Sequence, residues 1–340
     1  TGCSSIWGGS APATPYTVNK KGYGPAWQNS LFEDNAEFGL GMTLAQNAIR
    51  ARLQEYVAKI ADLTADADMK AACENYIATK DDSGANRPAA DALVAKLKAV
   101  ADGNDEIAEL AKKTLADEDY LAKKSMWVFG GDGWAYDIGF GGLDHVLASG
   151  ENINVLVFDT EVYSNTGGQA SKSTPTGSVA QFAAAGKAMK KKDLAQIAMS
   201  YGYVYVAQIA MGADYNQCIK AFAEAEAYNG PSLIIAYAPC INHGIKGGMG
   251  ISQAEEKKAV AAGYWHTFRF DPRLADAGKN PFQLDSKAPT ASYRDFIMNE
   301  VRYNSLTRAF PERAEVLFDK AEKQAVEKYD HLVKLSKLYE

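Results

Sequence analysis

The stretch that decides the fold is residues 126–169, MWVFGGDGWAYDIGFGGLDHVLASGENINVLVFDTEVYSNTGGQ. A short apolar run from Met126 to Phe129 stops at a Gly-Gly-Asp-Gly turn, and an amphipathic segment follows as far as Leu147. A second apolar run, 153–158, ends in a loop rich in Ser, Thr, Asn and Gly. This order predicts a β-α-β unit whose two strands are parallel.

The glycine-rich turn has the composition of a phosphate and metal site. Gly131 and Gly133 lack Cβ atoms, so backbone N–H groups can approach a phosphate at the start of the following helix. Asp132 offers a carboxylate, and the end of the second strand offers the Thr160 hydroxyl and the Val162 carbonyl. Mg²⁺ prefers oxygen ligands of this kind. Because a right-handed crossover brings both strand ends to one edge of the sheet, we expect these groups to meet there.

A Gly-Asp-Gly sequence alone is typical of an ordinary turn. Here Asp132 is matched 28 residues later by Thr160 at a strand end, and this spacing resembles the thiamine diphosphate motif. The fuller text, with CSSIWGG, TEVYSNTGGQ and APCINHG in order, resembles the pyruvate:ferredoxin oxidoreductase family in its C-terminal thiamine-diphosphate-binding domain. Many thiamine enzymes carry Asn where this chain has Thr160, but Thr is the residue expected within this family.

The resemblance implies an α/β fold, a doubly wound and mostly parallel sheet of the thiamine-diphosphate-binding type with a helical insertion. The chain begins at Thr1 without a targeting segment, and we expect 1–340 to be the C-terminal part of a larger polypeptide. The predicted parts are a cofactor and cluster loop at 1–29, a helical subdomain at 30–122, an α/β core at 123–290 and a helical tail at 291–340.

Further elements follow from periodicity and turn residues. The predicted elements of the core are a strand at 203–209, a helix at 214–228 and a buried strand at 232–238. The segment that carries Phe182, Met189 and the lysine run 190–192 is predicted to be helical. The lysine run favours a solvated face, with a docking patch for an acidic electron carrier as the alternative.

The resemblance also implies residue roles around the cofactor. Asp132, Thr160 and Val162, the last through its carbonyl, would hold Mg²⁺, and Asn165 would act catalytically by orienting substrate or the developing alkoxide. The 131–134 turn would cradle the diphosphate. The implied cofactor-binding residues are Cys3, Gly131, Asp132, Gly133, Trp134, Thr160, Glu161, Val162, Tyr163, Ser164 and Asn165.

Four cysteines are too few and too irregularly spaced for a disulfide framework, so a reducing, cytoplasmic compartment is expected. Cys73 and Cys218 are predicted to pack in helices. The resemblance makes Cys3 and Cys240 ligands of a [4Fe–4S] cluster, with the other two ligands upstream because the chain has no CxxC pair. His243 is predicted to make a structural hydrogen bond, with proton transfer as the alternative.

The function implied by the resemblance is oxidative decarboxylation of pyruvate to acetyl-CoA and CO₂, with coenzyme A as acyl acceptor. Electrons would pass through iron–sulfur clusters to ferredoxin or flavodoxin. The remaining domains of the enzyme and a homodimer are the expected assembly, and the chain alone is expected to be inactive. Three alternatives remain: an oxidoreductase for another 2-oxo acid, a non-redox thiamine decarboxylase or synthase, and a subunit that binds thiamine diphosphate without turnover.

Composition narrows the remaining function classes. The apolar fraction of 47% and charged fraction of 23% are ordinary for a globular protein of 340 residues. A net charge of −6 gives no reason to expect nucleic acid. No apolar run approaches the roughly 20 residues that a membrane span needs.

Overall fold

The structure is a computed structural model that describes residues 18–20, 22–28, 30 and 34–338. The chain divides into two compact units. The smaller unit is Gly39–Met126, and the larger contains the described residues before Gly39 and after Met126. The predicted loop around Cys3 lies outside the described residues.

The smaller unit is helical, and sequence analysis had placed its limits at 30–122. Asp66, Asp82 and Asp105 begin three of its helices as N-caps, each accepting one or two hydrogen bonds from backbone N–H groups of the first turn. Its core contains fully buried Leu53 and Tyr76. Its helices are α1 (Asn35–Leu63, which starts in the larger unit), α2 (Ala67–Ala78), α3 (Ser83–Val100) and α4 (Glu106–Leu115), followed by a 3₁₀ turn at Glu118–Tyr120.

The larger unit is built on a sheet of six strands within the described residues. The strands are β1 (Trp127–Gly131), β2 (Asn154–Asp159), β3 (Tyr205–Ile209), β4 (Ser232–Tyr237), β5 (Phe268–Phe270) and β6 (Phe282–Leu284). Their spatial order is β1-β2-β4-β3-β5-β6; the first four are parallel, whereas β5 and β6 are antiparallel. The mostly parallel α/β sheet and the predicted parallel β1–β2 pair are therefore confirmed.

Burial explains the apolar strands. Every position of β2 and β4 except the fifth is buried, as expected for central strands covered on both faces.

Eight helices in the described residues complete this unit: α5 (Phe140–Ala148), α6 (Leu194–Met199), α7 (Tyr215–Ala227), α8 (Ser252–Ala261), α9 (Pro272–Asp276), α10 (Tyr293–Ile297), α11 (Val301–Ala309) and α12 (Pro311–Ser336). Among the described residues, no helix is both long and apolar enough to cross a membrane.

The predicted helix around Phe182 and Met189 is wrong. Residues 178–193 form bridges and turns instead of helix. Gly177 and Gly186 have φ of 85° and 74°, and a Cβ on Gly186 would lie 2.7 Å from the Leu306 side chain. These left-handed positions suit glycine and break a regular helix. Phe182 has a φ of 66° and is 92% exposed.

The lysine run is also not simply a solvated face. Lys190 is exposed, but the Lys191 side chain is only 23% exposed, with its ammonium group 2.8 Å from Asp159 Oδ2. Lys192 donates to the carbonyl of Tyr136 at 3.0 Å. The run is therefore part of the packing around the end of β2.

Candidate cofactor and metal site

Three predicted metal ligands lie together where β1 and β2 end. The Thr160 hydroxyl lies 2.6 Å from Asp132 Oδ1 and 3.0 Å from the Val162 carbonyl oxygen. The Thr160 backbone N–H also donates to Asp132 Oδ1, at 3.1 Å. The parallel register that pairs Gly131 with Phe158 accounts for this, because it sets the residues that follow each strand side by side.

The arrangement of these oxygens suits a small hard cation. Adjacent ligands of an octahedral Mg²⁺, each 2.0–2.1 Å from the ion, are about 2.9 Å apart, close to both spacings seen around the Thr160 hydroxyl. That hydroxyl has one hydrogen but faces two acceptors, Asp132 Oδ1 and the Val162 carbonyl. A cation would satisfy all three oxygens.

The electrostatic environment of Asp132 also favours a bound cation. The residue is fully buried, and its second oxygen accepts a hydrogen bond from Ser171 at 2.7 Å. Burial, and then the charge of Asp159, raise the pKa of Asp132 to about 7. A bound cation would remove that penalty. In the described part of the chain, no group of three His, Cys, Asp or Glu side chains could hold a metal, so this site would depend on one carboxylate and neutral oxygens.

The glycine turn has one open side and one filled side. A Cβ on Gly133 would lie 2.4 Å from the Tyr163 ring, and a Cβ on Gly130 would lie 2.2 Å from the Trp134 ring. A Cβ on Gly131 would meet nothing within 4 Å. Gly131 therefore faces space that a diphosphate could occupy. The segment after the turn begins as a π-helical turn, Gly133–Ile138, and the α-helix expected there starts later, as α5.

The loop after β2 closes on itself. Tyr163 N–H donates to the Gln169 carbonyl at 2.9 Å, and Gly168 N–H donates to the Tyr163 carbonyl at 2.8 Å. Ser164 Oγ donates to the Thr160 hydroxyl at 2.6 Å, so it lies beside the candidate ligands. Asn165 is exposed at the tip of this loop. Its predicted contact with cofactor or substrate stays a prediction.

Glu161 does not direct its side chain toward Asp132. Its carboxylate is 1% exposed and lies 2.9 Å from Lys191 Nζ and 2.8 Å from Arg302 Nη1. Burial alone would raise the pKa of Glu161, but the charges of Lys191 and Arg302 hold it at about 2. Neither cation was predicted from the sequence to bind Glu161. The run of three lysines at 190–192 was the sequence feature that could have identified Lys191 as a partner of an acidic residue. No nearby sequence feature pointed to Arg302.

Cys240 lies at the same edge of the sheet, just beyond β4. It is 8% exposed, and its sulfur accepts from the Asn242 backbone N–H and side-chain amide at 3.5 Å each. A buried imidazole connects it to the loop after β2, since His243 Nδ1 lies 3.4 Å from Cys240 N and Nε2 lies 2.8 Å from the Thr160 carbonyl. His243 thus makes the structural hydrogen bond that was predicted. Burial lowers its pKa to about 3, which keeps the ring neutral.

The other described cysteines pack as predicted. Cys73 lies in the core of the helical unit and Cys218 on α7, both buried and free. Burial, with a smaller contribution from Glu74, raises the pKa of Cys73 to about 11, and burial also raises the pKa of Cys218. Neither thiol is disposed to ionise.

The mostly parallel sheet, with Asp132 and Thr160 at the ends of neighbouring strands, is an α/β fold of the thiamine-diphosphate-binding type. Residues 108–236 match the family model described as "Thiamine pyrophosphate enzyme, C-terminal TPP binding domain". The chain is 60% identical over 337 residues to "Pyruvate:ferredoxin oxidoreductase" of Moorella thermoacetica, covering 99% of this chain and 29% of the relative. It is 56% identical to "Pyruvate-flavodoxin oxidoreductase" of Klebsiella pneumoniae, covering 96% and 27%.

These matches confirm the resemblance: over nearly its whole length the chain is related to a segment of the pyruvate:ferredoxin and pyruvate-flavodoxin oxidoreductases. It spans less than a third of the length of either relative. A solved 2-oxoglutarate:ferredoxin oxidoreductase from Magnetococcus marinus is similar at 19% identity and a TM-score of 0.35, covering 54% of this chain and 68% of that one. That likeness is too weak to bear on function.

Proposed function

We propose that this chain supplies the magnesium and thiamine diphosphate site of an oxidoreductase that decarboxylates pyruvate. Coenzyme A would accept the acetyl group, and ferredoxin or flavodoxin would accept the electrons. The observation that carries the proposal is the convergence of three oxygens: the Thr160 hydroxyl lies 2.6 Å from Asp132 Oδ1 and 3.0 Å from the Val162 carbonyl oxygen. It occurs in a chain 60% identical to a segment of a pyruvate:ferredoxin oxidoreductase.

The residues at the ends of β1 and β2 would bind the cation and the diphosphate. Asp132, Thr160 and the Val162 carbonyl would hold Mg²⁺, and Ser171 would orient the Asp132 carboxylate through its hydrogen bond. The open side of Gly131 would admit the diphosphate. When bound, thiamine diphosphate supplies the electron sink that decarboxylation of a 2-oxo acid requires.

The remaining residues of the site would arrange the surroundings. Asn165, at the tip of the loop after β2, would donate a hydrogen bond to the substrate oxygen that gains negative charge. Trp134 and Tyr163 pack against the glycines of the turn and would fix its backbone. Glu161 and Ser164 would contribute through the loop that carries them, since Ser164 binds the Thr160 hydroxyl.

Cys240 would be one ligand of a [4Fe–4S] cluster, and Cys3 a second, with two more from elsewhere in the polypeptide. Cys240 suits this role because it shares a sheet edge with Thr160 and is linked to it through His243. A cluster there would receive electrons close to where decarboxylation releases them. We further propose that the whole enzyme is cytoplasmic and homodimeric, and that this chain alone is inactive.

The rival functions make different demands on the same chain. An oxidoreductase for another 2-oxo acid would keep the same metal and cluster sites. A non-redox decarboxylase or synthase would need no thiolate at Cys240, and a binding subunit would hold the cofactor without turnover. Cys240 lies beside the loop that carries the candidate metal ligands, and this placement favours the oxidoreductase over the non-redox alternatives.

The test is the cofactor content and turnover of the anaerobically purified native polypeptide. We expect thiamine diphosphate, magnesium, iron and sulfide, with coenzyme A-dependent reduction of ferredoxin faster with pyruvate than with 2-oxoglutarate. Thiamine diphosphate without iron would exclude the cluster role and favour a decarboxylase or synthase. Faster turnover of 2-oxoglutarate would move the proposal to a sister enzyme.

A further inference from the structure

We propose that Glu161 is a positioning residue for the metal site, and that partly buried Lys191 and buried Arg302 hold it in place. By anchoring the Glu161 side chain, these cations fix a left-handed backbone conformation that holds the Thr160 hydroxyl between Asp132 Oδ1 and the Val162 carbonyl. This inference rests on the proposed magnesium site. It assigns the three residues no contact with cofactor or substrate.

The first observation is the backbone of Glu161. Its φ is 61°, and among the described residues Phe182 is the only other non-glycine residue with a positive φ. A left-handed conformation is strained for a residue with a Cβ, so glycine is the usual residue there. The conformation falls between the two candidate ligands Thr160 and Val162, where it sets their relative direction.

The second observation is that every polar group of Glu161 has a partner. Its backbone N–H donates to Asp159 Oδ1 at 3.2 Å, and its carbonyl accepts from the Thr174 hydroxyl at 2.5 Å. One carboxylate oxygen faces Lys191 at 2.9 Å, and the other faces Arg302 at 2.8 Å and accepts from the Tyr264 hydroxyl. Such surroundings over-determine the backbone conformation, which is how a strained residue persists.

The third observation is how the two cations are themselves held. Lys191 bridges Glu161 and Asp159, and Arg302 bridges Glu161 and Glu300, whose Oε2 lies 2.6 Å from Arg302 Nε. Arg302 is 3% exposed and Glu300 is fully buried. Removing one member of a buried ion pair leaves an uncompensated charge, so the geometry resists displacement.

The consequence for the metal site follows from the chain path. Thr160 and Val162 are the direct neighbours of Glu161 and share its two peptide groups. If the anchor were released, residue 161 could leave the left-handed region, which would rotate the adjoining peptide groups and move the Val162 carbonyl away from the Thr160 hydroxyl. Magnesium affinity would then fall even though all three ligands remain.

The experiment uses the full-length polypeptide, with Mg²⁺ affinity measured by titration in the presence of thiamine diphosphate. Glu161→Gln, Lys191→Met and Arg302→Gln should each raise the Mg²⁺ Kd by about tenfold or more. Lys191→Arg keeps the charge and should restore most of the affinity. Glu161→Gly accepts the φ of 61° without strain but lacks the anchor, so it should also bind Mg²⁺ more weakly.

A matched control separates positioning from general stability. Arg269 is another buried arginine of the same unit, paired with Glu224 at 2.7 Å and Asp285 at 2.8 Å. Arg269→Gln should lower the thermal stability of the cofactor-free protein as Arg302→Gln does, but should leave the Mg²⁺ Kd unchanged.

Two results would overturn the inference, and they are distinct from failure of the proposed function. One is a Mg²⁺ Kd that changes no more in Arg302→Gln than in Arg269→Gln. The other, which serves if the Arg302 variant does not fold, is equal Mg²⁺ affinity in Lys191→Met and Lys191→Arg. A wild-type protein that binds no thiamine diphosphate with Mg²⁺ would instead refute the proposed function, and the inference with it.

Discussion

The hydroxyl of Thr160 lies 2.6 Å from Oδ1 of Asp132, although 28 residues separate them in the chain. The contact exists because two parallel strands end side by side and each is followed at once by a polar residue. It joins the turn that would cradle the diphosphate to the loop that would wrap the cofactor. Disturbing either partner should therefore affect cofactor binding before it affects the sheet.

The two glycines that flank Asp132 should respond differently to substitution. Gly131→Ala adds a methyl group where nothing lies within 4 Å, whereas the same change at Gly133 would place Cβ 2.4 Å from the Tyr163 ring. We expect Gly131→Ala to keep the stability of the cofactor-free protein and to weaken thiamine diphosphate binding. Gly133→Ala should reduce both stability and binding.

Calorimetric titration of thiamine diphosphate, together with thermal unfolding of the cofactor-free protein, would measure these effects. Gly131→Ala with unchanged affinity would mean that the diphosphate lies elsewhere.

Cys240 and Cys218 offer a matched pair for the cluster. Both cysteines are buried beside the same sheet, Cys240 just after β4 and Cys218 on α7. Of the two, only Cys240 lies at the edge next to Thr160. Cys240→Ser in the full-length enzyme should remove one cluster, about four iron atoms per polypeptide, while thiamine diphosphate stays bound. Iron assay and electron paramagnetic resonance of the reduced protein would measure the loss. Equal iron content in Cys240→Ser and Cys218→Ser would rule out the ligand role.

Asn165 should affect turnover more than binding. Its exposed position at the tip of the loop allows contact with a ligand that enters from solvent. Asn165→Ala should lower kcat by about 10²-fold, the typical cost of removing one hydrogen-bond donor to a developing oxyanion, with thiamine diphosphate content unchanged. Thr166→Ala, at the next position of the same loop, is the control and should retain near-normal kcat. Similar losses in both variants would indicate a disturbed loop rather than a lost donor.

His266 should make the larger unit acid-sensitive. The ring is 4% exposed, and burial lowers its pKa from 6.5 to about 4. Well above pH 6.5 the folded and unfolded states both hold a neutral ring, so the full stability is present. As the pH falls from 6.5 toward 4, only the unfolded state gains the proton, and the free energy of unfolding decreases by about 2 kcal/mol at pH 5.

Hydrogen exchange of the β3 and β5 amides in the intact protein would measure the stability of the region around His266 alone. The destabilising effect of His266→Gln should shrink as the pH is lowered from 7 to 5, because the variant has no imidazole to protonate. His145→Gln, which alters an exposed histidine, should retain the wild-type pH dependence. A His266→Gln variant with wild-type pH dependence would show that the ring titrates normally.

The parts of the fold that depend on local pattern could be predicted from the sequence. The apolar runs around 126–129 and 153–158 became β1 and β2, and the predicted strand at 232–238 became β4. The spacing of Asp132 and Thr160 was enough to place both at one edge, since strand order in a β-α-β unit is constrained by chirality. These features needed no long-range information.

The irregular segment from 178 to 193 could not be predicted in this way. Its amino acids suit a helix, but Gly177 and Gly186 pack against Phe318 and Leu306, which are more than a hundred residues away. The partial burial of Lys191 has the same origin, because its carboxylate partners lie around the end of β2. Tertiary packing decided both outcomes.

The side-chain direction of Glu161 was equally hidden. A loop residue between two candidate ligands gives no sequence sign of whether it faces the cofactor or the interior. The partner that decides the question, Arg302, lies 141 residues further along the chain. The same holds for His243, whose link between Cys240 and Thr160 depends on a 3₁₀ turn after β4.

The most direct test of the magnesium site is the thiamine diphosphate and magnesium content of the full-length protein carrying Asp132→Asn, compared with Asp144→Asn. Asparagine keeps the shape of Asp132 but removes the charge, whereas Asp144 lies on α5 and binds the Tyr201 hydroxyl at 2.8 Å. We predict that Asp132→Asn loses both ligands while Asp144→Asn retains them in wild-type amounts. Wild-type retention of thiamine diphosphate and magnesium by Asp132→Asn would contradict the assignment of the site to the ends of β1 and β2.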